Sequence, residues 1–211
     1  MLPLPPRSAR SGGYNDLVSG SDPMRPSASD VRLTYDDFLH FPDDGKRHEL
    51  IDGAHVVTPS PNTKHQTVAG NLHGLIWTYL RQRPVGRVFA ALLDVVFSEF
   101  DVVEPDLLFV SKARQADIVT AAHVVGAPDL VVEIGSPSTR RRDETVKRRL
   151  YQRFGVSEYW VVDPELDVIK VYRSAEGRFD RVAELSLERD EVLESPLFPG
   201  LSLRLAEIFS E

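Results

Sequence analysis

The chain has 211 residues, 42% hydrophobic and 27% charged, with a formal net charge of −7, which suits one well-formed core and argues against a surface that is basic throughout. It has no cysteine, which excludes disulfide staples, thiolate metal sites and a cysteine nucleophile and fits a reducing compartment. No apolar stretch approaches the roughly 20 residues of a membrane-spanning helix, so a soluble, cytoplasmic protein is expected.

Residues 1 to about 30 are rich in Pro, Ser and Gly, lack hydrophobic periodicity and contain no apolar segment of signal-peptide type. A flexible extension is expected over 1–30 and a folded domain over 31–211. Thr34 is placed to cap a short helix, Tyr35 to Leu39, before the turn-like Pro42-Asp43-Asp44-Gly45. Arg47 to Ile51 and Ala54 to Val57 flank Asp52-Gly53, a pair that favours a type I′ hairpin. From Asn62 to Arg83 the spacing becomes helical, with Val68, Leu72, Leu75, Ile76, Tyr79 and Leu80 in one stripe. His65 precedes that stripe and, with no second histidine on its face, is expected to cap the helix or edge the core. Trp77 and Trp160, set among apolar neighbours, are expected to be core aromatics.

Gly86 to Phe97 and Val102 to Val110 follow as strand-like runs, joined by the polar Ser98 to Asp101, and then an ambiguous stretch, Ala113 to Val125, with room for a short helix. Pro128 to Ile134 is another apolar strand. Two carboxylates stand out here, because Asp106 and Glu133 each lie inside an apolar, β-prone run. A buried carboxylate needs hydrogen bonds, a cation or a metal. Asp94, within Leu92 to Val96, is a third such residue whose role is not separable from structural hydrogen bonding.

Ser138 to Phe154 reads as a helix that Ser138 or Thr139 caps and Gly155 ends. On it Asp143, Lys147, Leu150, Tyr151 and Phe154 share a face, so Lys147 projects toward the sheet. A lysine lying along the core edge with its ammonium in water fits that spacing equally well. Arg140, Arg141 and Arg142 with Lys147, Arg148 and Arg149 put six cations within ten residues, either a solvated helix face or a phosphate contact. Two more strands, Glu158 to Asp163 and Asp167 to Tyr172, flank Pro164-Glu165. A hairpin-like region, Arg178 to Ser186, leads to a tail ending near Phe209. The interleaving of helices and strands predicts an α/β fold around a mixed sheet. His48, His55 and His73 lack metal spacing, and no GxGxxG turn, Walker loop or Gly-x-Ser-x-Gly elbow occurs.

Glu49-Leu50-Ile51-Asp52-Gly53, Pro105-Asp106, Ala127 to Ile134 with Ser136-Pro137-Ser138-Thr139, and Glu158 to Pro164 closely resemble the bacterial Uma2 family, restriction-endonuclease-like proteins of the PD-(D/E)XK nuclease superfamily. The likeness runs from about Thr34 to Phe209. It implies a restriction-endonuclease-like core, a mixed β-sheet flanked by helices. It further implies that Asp106 and Glu133 hold a divalent cation, Mg²⁺ or Mn²⁺, and that Glu49 is the upstream acidic residue completing the site. The superfamily lysine belongs two residues after Glu133, where this chain has Gly135, and Lys147 is then its substitute in space. On this likeness the chain is expected to be a metal-dependent endonuclease hydrolysing phosphodiester bonds in DNA, with Arg140, Arg141 and Arg142 on neighbouring phosphates. Cutting both strands of a duplex suits two-fold symmetry, so a homodimer fits by analogy. The alternatives are a catalytically silent nucleic-acid-binding or protein-interaction module on the same fold, and a structural protein whose buried carboxylates simply pair with Lys147 and nearby arginines.

Overall fold

The computed structural model describes residues 31–58, 60–136 and 139–211, so the expected N-terminal extension and a capping role for Ser138 lie outside the described residues. Thr34 starts α1 (Tyr35–Phe38) with a capping box, its hydroxyl accepting from Asp37 N while the Asp37 carboxylate accepts from Thr34 N. Asp52 and Gly53, at φ 51° and 77°, make the tight turn between β1 (Arg47–Ile51) and β2 (Ala54–Thr58). Asn62, rather than His65, caps α2 (Thr63–Gln82), which buries Val68, Leu72, Ile76, Tyr79 and Leu80.

Two runs expected as single strands are each divided between sheets. The first gives β3 (Gly86–Ala90) and β4 (Val95–Ser98), and the second gives β5 (Asp101–Val103) and β6 (Leu107–Ser111). Pro105 explains the second break, since it has no N–H to give a ladder. The two breaks run side by side, with Ala91 N donating to Asp106 O at 3.0 Å. Beyond them come α3 (Gln115–Ile118), β7 (Val124–Val125) and β8 (Leu130–Ile134).

The helix expected after β8 is not uniform: α4 (Arg140–Arg142) widens into a π-turn over Asp143–Lys147, where Arg148 N–H reaches back to Asp143 O, and continues as α5 (Arg148–Phe154). Gly155 ends it at φ 81°, in the left-handed region. β9 (Glu158–Asp163), β10 (Val168–Ala175) and β11 (Arg178–Ser186) follow; the last is one long strand paired along β10 rather than a hairpin of its own, because the turn lies before it at Glu176-Gly177. β12 (Val192–Glu194), β13 (Ser202–Arg204) and α6 (Leu205–Ile208) close the chain.

Six strands form a mixed sheet in the order β11-β10-β9-β8-β6-β3, with β8 and β9 parallel across the helical crossover. Five form a second sheet, β2-β1-β5-β4-β7. Period-two alternation gives the larger sheet a core on each face. Leu130, Val132, Ile134 and Trp160 pack with α2 and the C-terminal elements, whereas Val131, Tyr159 and Val161 pack with α5 and with Ile51, Val95 and Val103 of the smaller sheet. Trp160 is the expected core aromatic. Trp77 is not, being 50% exposed, because it lies about 100° around α2 from the buried Ile76.

Candidate active site

Glu133 lies on β8 between Val131 and the end of the strand, and alternation turns it toward the helical crossover with Val131. Leu107 pairs with Val132, so one step further Asp106 stands across from Glu133 where β6 begins. Glu49 comes from β1 of the other sheet, and Lys147 from the last residue of the π-turn. The four residues expected as catalytic are therefore brought together, all of them buried.

The Lys147 ammonium donates to Glu49 Oε1 at 2.7 Å and to Glu133 Oε1 at 2.9 Å. Tyr151, one turn on, also donates to Glu133 Oε1. Glu49 Oε1 accepts Glu104 N–H at 3.1 Å, while Glu49 Oε2 is buried without a hydrogen-bond partner. Asp106 is held differently. Its Oδ2 accepts Ile134 N–H at 2.7 Å, and its Oδ1 lies 2.8 Å from Arg47 Nη1 and 3.2 Å from His65 Nε2. Gly135 lies beside this cluster, where an added Cβ would stand 3.5 Å from Val162 O, and the lysine that reaches Glu133 comes from the helix, at Lys147.

Charge in this pocket follows from burial and neighbours. Burial pushes the Glu133 carboxyl up to about 8, although Lys147 opposes it. Burial alone would favour neutral Lys147, but Glu133 and Glu49 outweigh it and hold the amine protonated, above its ordinary range. Burial would also raise Asp106; the His65 ring, the Arg47 guanidinium and the Ile134 N–H outweigh it and keep the carboxylate ionised. Burial keeps the Tyr151 phenol neutral, as a donor.

Arg47 and His65 belong to this site although nothing in the sequence marks them. They stand together in the walls of two adjoining surface recesses, one reaching Thr139 and Glu165 and the other Ala91, Leu92 and Asp106. An arginine opening a strand and a histidine early in a helix are ordinary in sequence; their meeting at Asp106 depends on tertiary pairing. Asp94 proves to be half of a carboxyl pair with Glu104, whose pKa is pushed up to about 7 by burial and by Asp94. The expected phosphate-binding arginines diverge. Arg140 is tied to Asp163, with Nη2 at 2.8 Å from Oδ1, and Arg142 donates to Thr58 Oγ1 at 2.7 Å, while Arg141 is exposed.

Among the described residues no three His, Asp or Glu side chains are already arranged around a metal position. The donor set nonetheless suits a hard cation, because Glu49, Asp106 and Glu133 offer only oxygen and Glu49 Oε2 is a buried acceptor without a partner.

The mixed sheet with its flanking helices and the carboxylates at a strand end define a restriction-endonuclease-like fold. A solved structure described as "a putative nuclease belonging to DUF820 from Anabaena variabilis" is similar at TM-score 0.70 over 84% of this chain and 98% of that one, with 23% identity. The Uma2 family model, described as "Putative restriction endonuclease", matches residues 35–206, and the chain belongs to that family. No curated protein matches it.

Proposed function

We propose that this chain is a metal-dependent endonuclease that hydrolyses phosphodiester bonds in DNA at the Glu49–Asp106–Glu133–Lys147 cluster. The observation that carries the reading is the orphaned Glu49 Oε2, buried beside two further carboxylates and a lysine ammonium. Asp106 and Glu133 would hold Mg²⁺ or Mn²⁺, with Glu49 adding its free oxygen. When bound, such an ion polarises the phosphoryl oxygen and lowers the pKa of a coordinated water.

The chain's own residues divide the remaining work. Lys147, held protonated, acts as a cationic donor to charge developing on the phosphate and not as the base. Glu133, whose carboxyl burial pushes up to about 8, would give up its proton to hold the ion, so cation binding would release a proton near neutral pH. Arg47 and His65 line the approach and orient Asp106. Arg141, the exposed member of its triplet, meets a neighbouring phosphate, a contact that weakens with salt.

The test is cleavage of supercoiled plasmid in Mg²⁺ or Mn²⁺ by wild type, Asp106→Ala, Glu133→Gln and Lys147→Ala. Nicking by the wild type and none by folded variants supports the reading. Silence from the wild type, or equal cutting by all, favours the second reading, a catalytically silent binding module. That second reading has one observation of its own: both Asp106 oxygens already have protein partners.

A further inference from the structure

The exposed Trp77 lies on a face for which the cluster above gives no reason. Trp77, Leu80 and Arg81 of α2 with Gly86, Arg87 and Val88 of β3 line a shallow surface recess that contains no carboxylate. The Arg81 guanidinium sits 5.3 Å from the centre of the Trp77 ring, and Arg83 lies at the same distance from Tyr79. Arg81, Arg83 and Arg87 are exposed, and among the described residues none of them pairs with an acidic side chain. In a chain of net charge −7 this is a local reversal of sign, and a half-exposed indole accompanies it.

This face runs toward the cluster. α2 and β3 lie side by side, and at their other ends Gln66, Ala69 and Ala90 line the recess that also contains His65 and Asp106. Between the two recesses α2 presents Gly70 and Gly74, where an added side chain would meet nothing within 4 Å. Among the described residues β3 is the last strand of its sheet, with no strand paired on its outer edge. Twelve residues of helix separate His65 from Trp77, about 18 Å along the axis, or at most about five nucleotide steps, the number at duplex rise, since an extended single strand covers that distance in fewer.

We propose that the α2–β3 face holds a single-stranded stretch of the nucleic acid, with a base stacked on Trp77 and phosphates met by Arg81 and Arg87. An exposed aromatic ring with unpaired guanidinium groups is the combination that binds bases without regard to sequence. The assignment rests on the nuclease reading above and gives it a substrate feature, an unpaired segment within about five nucleotides of the bond that is cut.

Tryptophan fluorescence tests it, because the chain has two tryptophans and Trp160 is fully buried. The full chain in EDTA is titrated with an oligothymidylate of about 15 nucleotides, long enough to span the roughly five-step separation. Emission should be quenched. Arg81→Glu combined with Arg87→Glu, which keeps Trp77, should weaken binding at least about ten-fold and reduce the log–log salt slope by about 1.4. Unchanged circular dichroism shows that this variant is folded.

Binding without quenching, or equal affinity in the double variant, overturns the proposal. Plasmid cleavage by the same proteins separates the two readings. If the wild type cuts and Trp77 stays silent, this face is lost and the nuclease stands; if it neither cuts nor binds, both fall. Sedimentation velocity covers the rival occupant: a dimer of the wild type that the double variant abolishes assigns the face to a second copy and overturns the proposal.

Discussion

Lys147 is enclosed by groups that need it, since Glu49 and Glu133 both accept from its ammonium inside the core. Lys147→Met keeps the length of the side chain but leaves the buried Glu49 carboxylate without its cation, and should cost about 3–5 kcal/mol in urea denaturation. Adding Glu49→Gln should recover part of that loss, whereas two independent sites would give additive costs. Glu133 sets a pH dependence. Its folded carboxyl keeps a proton up to about 8 against an ordinary value of 4.5, so over that window the folded chain binds more protons than the unfolded one. Stability should therefore be fully present below about 4.5 and fall as pH rises toward 8. Glu104, raised to about 7, adds the same sign, whereas Asp106, held below the usual range, acts only in acid. Thermal melts in EDTA across this window should slope downward in the wild type and less so in Glu133→Gln; parallel curves would remove Glu133 as the source. Glu49, Asp106, Glu133 and Lys147 were legible in the sequence, the last three because a charged group interrupted an apolar pattern and Glu49 by family likeness. Arg47 and His65 were not legible, because each reaches Asp106 only across the tertiary fold.

Among the elements, the crossover helix carries the most consequence. Its π-turn contains Asp143 and Lys147 and lies directly before the face that buries Leu150 and Tyr151. Helical spacing was enough to place Lys147 inward, but a single widened turn leaves no sequence pattern of its own. The end of the helix was legible, since Gly155 adopts the positive φ that a side chain resists. Gly155→Ala should cost about 1 kcal/mol in thermal or chemical denaturation without changing cleavage. The division of the two apolar runs was half legible. Pro105 carries a signal for the second break that the expected single strand over Val102 to Val110 does not use, and the departure of each half into a different sheet is decided by partners such as β1 and β8, far away in the chain. Trp77 was misread from its apolar neighbours, although its angular distance from Ile76 was available in the spacing.

Across the whole molecule, the buried charges are compensated from within. Lys147 faces Glu49 and Glu133, Arg47 faces Asp106, and the exposed Arg153 reaches in to the buried Asp101. The fold thus has cations of its own beside these carboxylates, so EDTA should abolish plasmid cleavage while circular dichroism stays unchanged and the melting temperature falls only by what cation binding adds. A large loss of stability on chelation would mean that a cation is part of the folded core. Glu49 belongs to the smaller sheet and Glu133 to the larger one, and the same ammonium binds both. The residues proposed for chemistry are thus also a fastening between the two halves of the domain. Folding would hold a chain without any cleavage activity to the same lysine and carboxylates, so in this architecture their presence records the joint before it would record a reaction.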